Sequence, residues 1–160
     1  MKALRIFSAL FVLFIFGSAA AQEKTEKAKS SIEELLNSKN FEFIANTAIP
    51  LSGPTRDLVA SNYSITFTPE MVISNMPFYG RAYSGMALGR DKGMRFEGKP
   101  ENFTVTNAKK GYEVSTEVKG ENDTYFISIT TGHAGFATLS ISSNDRGTIS
   151  YQGEIVSIKQ

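Results

Sequence analysis

The sequence predicts a mainly β protein: an antiparallel meander of about eight strands closing as a β-barrel or a β-sandwich, with one N-terminal amphipathic helix. From Phe41 onward, apolar residues alternate with polar ones at a period of two, the pattern of strands with one face in a core and one in water. The links between these runs are short and carry glycine. Such links join antiparallel neighbours, because a parallel crossover needs a dozen residues or more. Before Phe41 the apolar spacing is 3.6 instead, which supplies the helix.

Residues 1–21 read as a secretory signal peptide. Lys2 and Arg5 precede an apolar run over 6–16, and Ser18-Ala19-Ala20-Ala21 follows as a small-residue cleavage site. Cleavage is expected after Ala21. The run is shorter than the ~20 residues that span a hydrocarbon core, so a membrane anchor is the weaker reading. No cysteine stands at the cleavage point to carry a lipid. The expected address is therefore periplasmic or extracellular, soluble rather than lipid-anchored, with no membrane span after cleavage.

Residues 22–40 form a leader and helix. Ala28, Ile32, Leu35 and Leu36 share one helical face, and order is expected from about Lys27. Ser31 with Glu34 offers an alternative start as a capping box, leaving about two helical turns.

The β domain occupies 41–160. Its strands are read from Phe41, Phe43 and Ala45; from Tyr63, Ile65 and Phe67; from Phe103 and Val105; and from Tyr112 through Val118. Tyr125-Ile127-Ile129, Ala137-Leu139-Ile141 and Ile149-Tyr151 continue the series. Gly111, Gly120, Gly135 and Gly147 stand in the links between the later runs, which makes the C-terminal half a meander. Phe126 and Phe136 fall near the nominally polar face. The N-terminal helix is their expected cover, with a barrel interior as the alternative.

The length of 160 residues fits one domain. With 17 Lys plus Arg against 16 Asp plus Glu, no single-sign field steers the chain toward nucleic acid. The absence of cysteine and the single histidine exclude thiolate catalysis, disulfides and Cys/His zinc sites within one chain. His133 sits in an expected hairpin turn with no motif to orient it, so it reads as a solvated polar residue rather than a general base. Ser52 and Ser84 lack the Gly-x-Ser-x-Gly elbow of a nucleophile. Gly85-x-x-x-Gly89-Arg90 lacks the Lys-Ser/Thr ending of a phosphate loop. Carboxylate pairs such as Glu97 with Glu101 occur in nearly every small domain, and only their separation would make them catalytic. The expectation is a non-enzyme with no cofactor and no metal.

The one long irregular segment, 76–93, holds Phe78, Tyr79, Tyr83, Arg81, Arg90 and four glycines. Loops of this length more often carry function than hairpin turns do. One reading makes it a binding lip: Tyr79 and Tyr83 stack on a small amphiphilic or sugar-like ligand, and Arg81 or Arg95 grips its carboxylate or phosphate. The candidate ligand-binding residues are Phe78, Tyr79, Arg81, Tyr83 and Arg95. The plainer reading has Phe78 and Tyr79 plugging the end of the barrel while Arg81 pairs with a carboxylate or caps carbonyls. A third makes the loop, or an unpaired strand edge, the docking surface of an envelope protein partner.

Three stretches carry a resemblance. Pro77-Phe78-Tyr79-Gly80-Arg81-Ala82-Tyr83, then Gly93-Met94-Arg95-Phe96, then Ser142-Ser143-Asn144-Asp145-Arg146 through Ile149-Ser150-Tyr151-Gln152-Gly153 resemble a family of secreted bacterial proteins, the domain of unknown function DUF 4251. The resemblance covers about 41–155. It implies a periplasmic or outer-surface address in a Bacteroidetes-type cell and supplies no activity. The chain departs from the family's lipoprotein pattern in lacking a cysteine at the cleavage site.

Overall fold

A computed structural model describes residues 31–83 and 93–158. The expected signal peptide, the start of the helix and the segment 84–92 lie outside the described residues. Helix α1 spans 31–38, with residue 31 already helical. Ten strands follow: β1 (Phe41–Pro50), β2 (Arg56–Asp57), β3 (Ser64–Phe67), β4 (Val72–Met76), β5 (Met94–Gly98), β6 (Pro100–Ala108), β7 (Gly111–Lys119), β8 (Thr124–Gly132), β9 (Phe136–Ser143) and β10 (Ile149–Ser157). They form one antiparallel sheet in the order β5-β4-β3-β1-β10-β9-β8-β7-β6, with β2 beside β1. The sheet curls almost into a closed barrel. Between the barrel and the sandwich, the barrel is the architecture.

Closure follows from chain geometry. The two strands at the ends of the sheet order, β5 and β6, are consecutive and joined by Lys99 alone. A nearly continuous strand thus pairs first with β4 and then with β7. Gly98 lies against the Lys119 carbonyl, where no side chain fits. Phe96 stacks on Tyr125 beside this seam, with ring centroids 3.9 Å apart.

The alternation works as expected through most of the sheet. Phe41, Phe43, Ile65 and Phe67 point inward and are fully buried, and Phe41 stacks on its register partner Phe67 at 4.6 Å. A bulge between Ala45 and Thr47 shifts the period of β1 by one, so that Ala45 and Ala48 both face inward. It also divides β1 between partners. β3 pairs before the bulge and β2 after it, and the Asn46 carbonyl at the bulge accepts the Leu58 N–H at 2.9 Å. Tyr112, Tyr151, Ile129, Leu139 and Ile141 complete an interior filled by side chains.

β2, β4 and β5 were not among the expected runs, and with them the described residues hold ten strands where about eight are expected. β4 inverts the usual pattern: apolar Ile73 faces out, while Ser74 is buried, its hydroxyl donating to the Met94 carbonyl at 2.6 Å. The expected cover for Phe126 and Phe136 is also corrected. Ile32 and Leu36 of α1 bury against the barrel, and the Glu33 carboxylate accepts the Tyr112 phenol at 2.9 Å. Phe126 and Phe136 remain outside, 42% and 72% exposed. Their inward neighbours Tyr125, Ile127 and Ala137 fix the strand phase, and a period of two then sends both phenylalanines outward.

Candidate functional site

One end of the barrel gathers three loops, 77–83, 120–123 and 144–147. Pro77 follows β4 directly and, lacking an N–H, cannot extend its ladder. The chain turns there, and the Phe78 ring tucks back beneath Gly80; a Cβ on Gly80 would stand 2.6 Å from that ring. The segment then runs alongside the turn after β9. Ala82 and Arg146 form an antiparallel bridge, the Tyr83 N–H donates to the Asp145 carbonyl at 2.7 Å, and the Gly147 N–H donates to the Arg81 carbonyl at 3.1 Å. The 144–147 turn is closed by Ser143, whose N–H donates to the Arg146 carbonyl and whose hydroxyl accepts the Arg146 N–H, each at 3.1 Å. Two stretches singled out in the sequence, whose bridging residues Ala82 and Arg146 are 64 positions apart, thus form one bonded unit.

The third loop is tied in by Asp123. One carboxylate oxygen accepts the N–H groups of Thr124 at 2.8 Å and Asn144 at 3.1 Å. The Arg146 guanidinium lies 5.8 Å above the Phe78 ring, and its charge acts on the Tyr125 phenol. Burial pushes the Tyr125 phenol above its ordinary value, against the pull of that guanidinium. Among the described residues, Asp123 Oδ2 and Arg146 Nε are buried without a hydrogen-bond partner.

The five residues expected to bind divide among different roles. Phe78 is buried, 4% exposed, and belongs to the barrel core. Tyr79 is half-buried beneath the Arg56 guanidinium at 4.6 Å. Arg81 is exposed, and its guanidinium makes no ion pair or hydrogen bond among the described residues. Tyr83 is 73% exposed, with its hydroxyl passing beside Gly147. Arg95 stands apart on the outer face of β5, opposite Asn75, and shares no ring contact, ion pair or hydrogen bond with the other four.

Arg146, Arg56, Asp123 and Tyr125 were not among the expected site residues. Arg146 had a signal, since it sits inside the Asn-x-Arg stretch quoted for the resemblance. Arg56 had none, because its aromatic partner is far along the chain. His133, the one imidazole, lies at the helix end of the barrel with its ring edge toward Tyr112, centroids 5.6 Å apart. Among the described residues there is no cluster of three or more His, Asp or Glu able to hold a metal ion, and no helix is long and apolar enough to cross a membrane.

A family model described as "Domain of unknown function (DUF4251)" matches residues 22–155. No curated protein matches the chain. Among solved structures, the crystal structure of a DUF4251 family protein from Bacteroides eggerthii DSM 20697 superposes with a TM-score of 0.63 at 17% identity, covering 81% of this chain and 87% of that one. At that identity the likeness speaks for the fold alone.

Proposed function

The chain belongs to the DUF4251 family of domains of unknown function, and from that premise we propose that it is an exported, non-catalytic binding module for a small amphiphilic or sugar-like ligand with an acidic group. One observation carries the reading: Tyr83 is pinned by backbone hydrogen bonds on both sides of the 82–146 bridge, yet leaves most of its ring in solvent. A fixed, exposed aromatic costs little ordering entropy when it meets a ligand. Beside it, Arg81 offers a fork of donors suited to a carboxylate or phosphate. Arg56 stacked on Tyr79 adds a second cation to the same end. The filled interior favours a ligand held at the surface of this end over one inside the barrel. Export is supported by the tripartite pattern of 1–21 and by a family match that begins at Gln22, directly after the expected cleavage point.

The test is a thermal-shift screen of the chain against amphiphiles and sugars with and without an acidic group. A ligand at 100 times its Kd adds about 2.7 kcal/mol of stability. The expected result is a shift that needs the acidic group and that Arg81→Ala or Tyr83→Ala erases. A shift that survives both substitutions would place the ligand elsewhere.

A second reading, an accessory protein of the envelope, is favoured by β6. Among the described residues, that strand pairs with β7 alone and leaves its other edge without a strand partner. An added strand would complete that edge. On this reading, a Thr106→Lys charge on the edge strand weakens partner binding while Arg81→Ala leaves it unchanged.

A further inference from the structure

We infer that the outer face of β7, β8, β9 and β10 is a second binding surface, separate from the loop end, that takes a neutral extended glycan. The face is a grid of hydroxyls. Thr104, Ser115, Ser128, Ser140 and Ser150 are successive register partners across five strands. Thr130, Thr138, Gln152 and Thr47 form the next row. Within the first row, Thr104 bonds Ser115 at 2.7 Å and Ser140 bonds Ser150 at 2.8 Å, which orients those hydroxyls. Ser128, Thr130 and Thr138 make no side-chain hydrogen bond among the described residues and face outward.

Two shallow hollows lie on this face, and each has one exposed phenylalanine in its wall. A hollow of about 280 Å³ holds Phe126 with Ser128, Ser140 and Ser142. Another, of about 380 Å³, holds Phe136 with Thr130, Thr138 and Gln152. Because Thr131 pairs with Ala137, Phe136 lies beside Gly132, six residues along β8 from Phe126. At strand rise, that separation is about 20 Å.

This chemistry selects the occupant. A pyranose ring has an apolar C–H face that stacks on an aromatic ring and a rim of hydroxyls that exchange hydrogen bonds with serine, threonine and glutamine. Neither hollow is lined by Lys or Arg, and Glu117 lines the first, so an anionic ligand finds no counter-charge there. Two aromatic platforms about 20 Å apart with a hydroxyl floor between them suit a chain of several rings rather than a single sugar. An apolar protein partner would instead leave the hydroxyl floor without partners, at a desolvation cost.

The experiment is a calorimetric titration of the chain with neutral hexasaccharides of glucose, xylose and mannose, paired with amide shift mapping by NMR. Binding of at least one, with shifts confined to β8, β9 and their neighbours, is expected. Phe126→Ala and Phe136→Ala each should weaken it about tenfold while leaving melting unchanged. Arg81→Ala should leave it untouched, which separates this surface from the proposed ligand site at the loop end. Silence across the panel would overturn the inference, as would binding that survives both phenylalanine substitutions or that maps to 77–83.

Discussion

The phenol of Tyr151, fully buried in the barrel interior, donates its hydrogen bond to the carbonyl of Pro77. A side chain of the last strand therefore holds the entry of the aromatic loop from beneath, while the Ala82–Arg146 bridge holds its exit from the side. The loop end is fastened at two points to the part of the sheet that carries β9 and β10.

Tyr151→Phe keeps the ring and removes the donor, leaving the buried Pro77 carbonyl without it. The expected loss is about 1–3 kcal/mol in denaturant unfolding, the cost of a buried polar group left unsatisfied. A loss of only a few tenths would show that the bond contributes no more than the packing of the ring.

Gly153 of β10 is the register partner of Ala45 on β1, at the edge of the bulge. An added Cβ would meet the Ile44 carbonyl and lie 2.9 Å from the Phe43 ring. Since the obstacle is backbone, the strands themselves must part, and Gly153→Ala should destabilise by more than about 2 kcal/mol or prevent folding. Near-normal unfolding of that variant would mean that the β1–β10 pairing is looser than its register implies.

Much of the fold was legible because most strands obey a simple rule. From Phe41 to Phe67 and from Tyr112 to Tyr151, inward residues are apolar except for the buried Thr116 and Thr131, and outward ones are mostly polar. β4 breaks that rule with Ile73 outside and buried Ser74 inside, so no periodicity announces it. Phe126 and Phe136 misled in the opposite sense, because apolar side chains on the water face read as core in need of a cover. At the candidate site, the stretches around Phe78 and Arg146 were visible as separate signals. Their contact, and that of Arg56 with Tyr79, depend on how the barrel closes, which local pattern does not encode.

Phe78 and Tyr83 sit five residues apart and should respond oppositely. Phe78→Ala empties a buried ring site and is expected to cost about 3–5 kcal/mol. Tyr83→Ala removes an exposed ring and should stay within about 0.5 kcal/mol. Equal losses in chemical unfolding would make Tyr83 a packing residue like Phe78.

Stability should fall at alkaline pH. Burial raises the phenols of both Tyr112 and Tyr125, and the Glu33 carboxylate adds to the rise at Tyr112. The fold therefore favours the protonated phenols. That contribution is complete below the unfolded value of about 10 and is lost as pH climbs through the higher folded values. The unfolding midpoint, followed through this range, should drop less steeply in Tyr125→Phe than in the parent chain. An identical pH profile for the two would contradict the assignment.

On the binding reading, the lip at the loop end is already formed before any ligand arrives. Amide hydrogen exchange at Tyr83 and Gly147 probes that preformed state, since their N–H groups are the donors that join the two loops. Both amides are predicted to exchange slowly, near the rates of the adjoining strands, even though the Tyr83 side chain lies in water. Exchange of either amide at the rate of an open chain would mean that the loops are not locked, and that no preformed surface exists there for a ligand to meet.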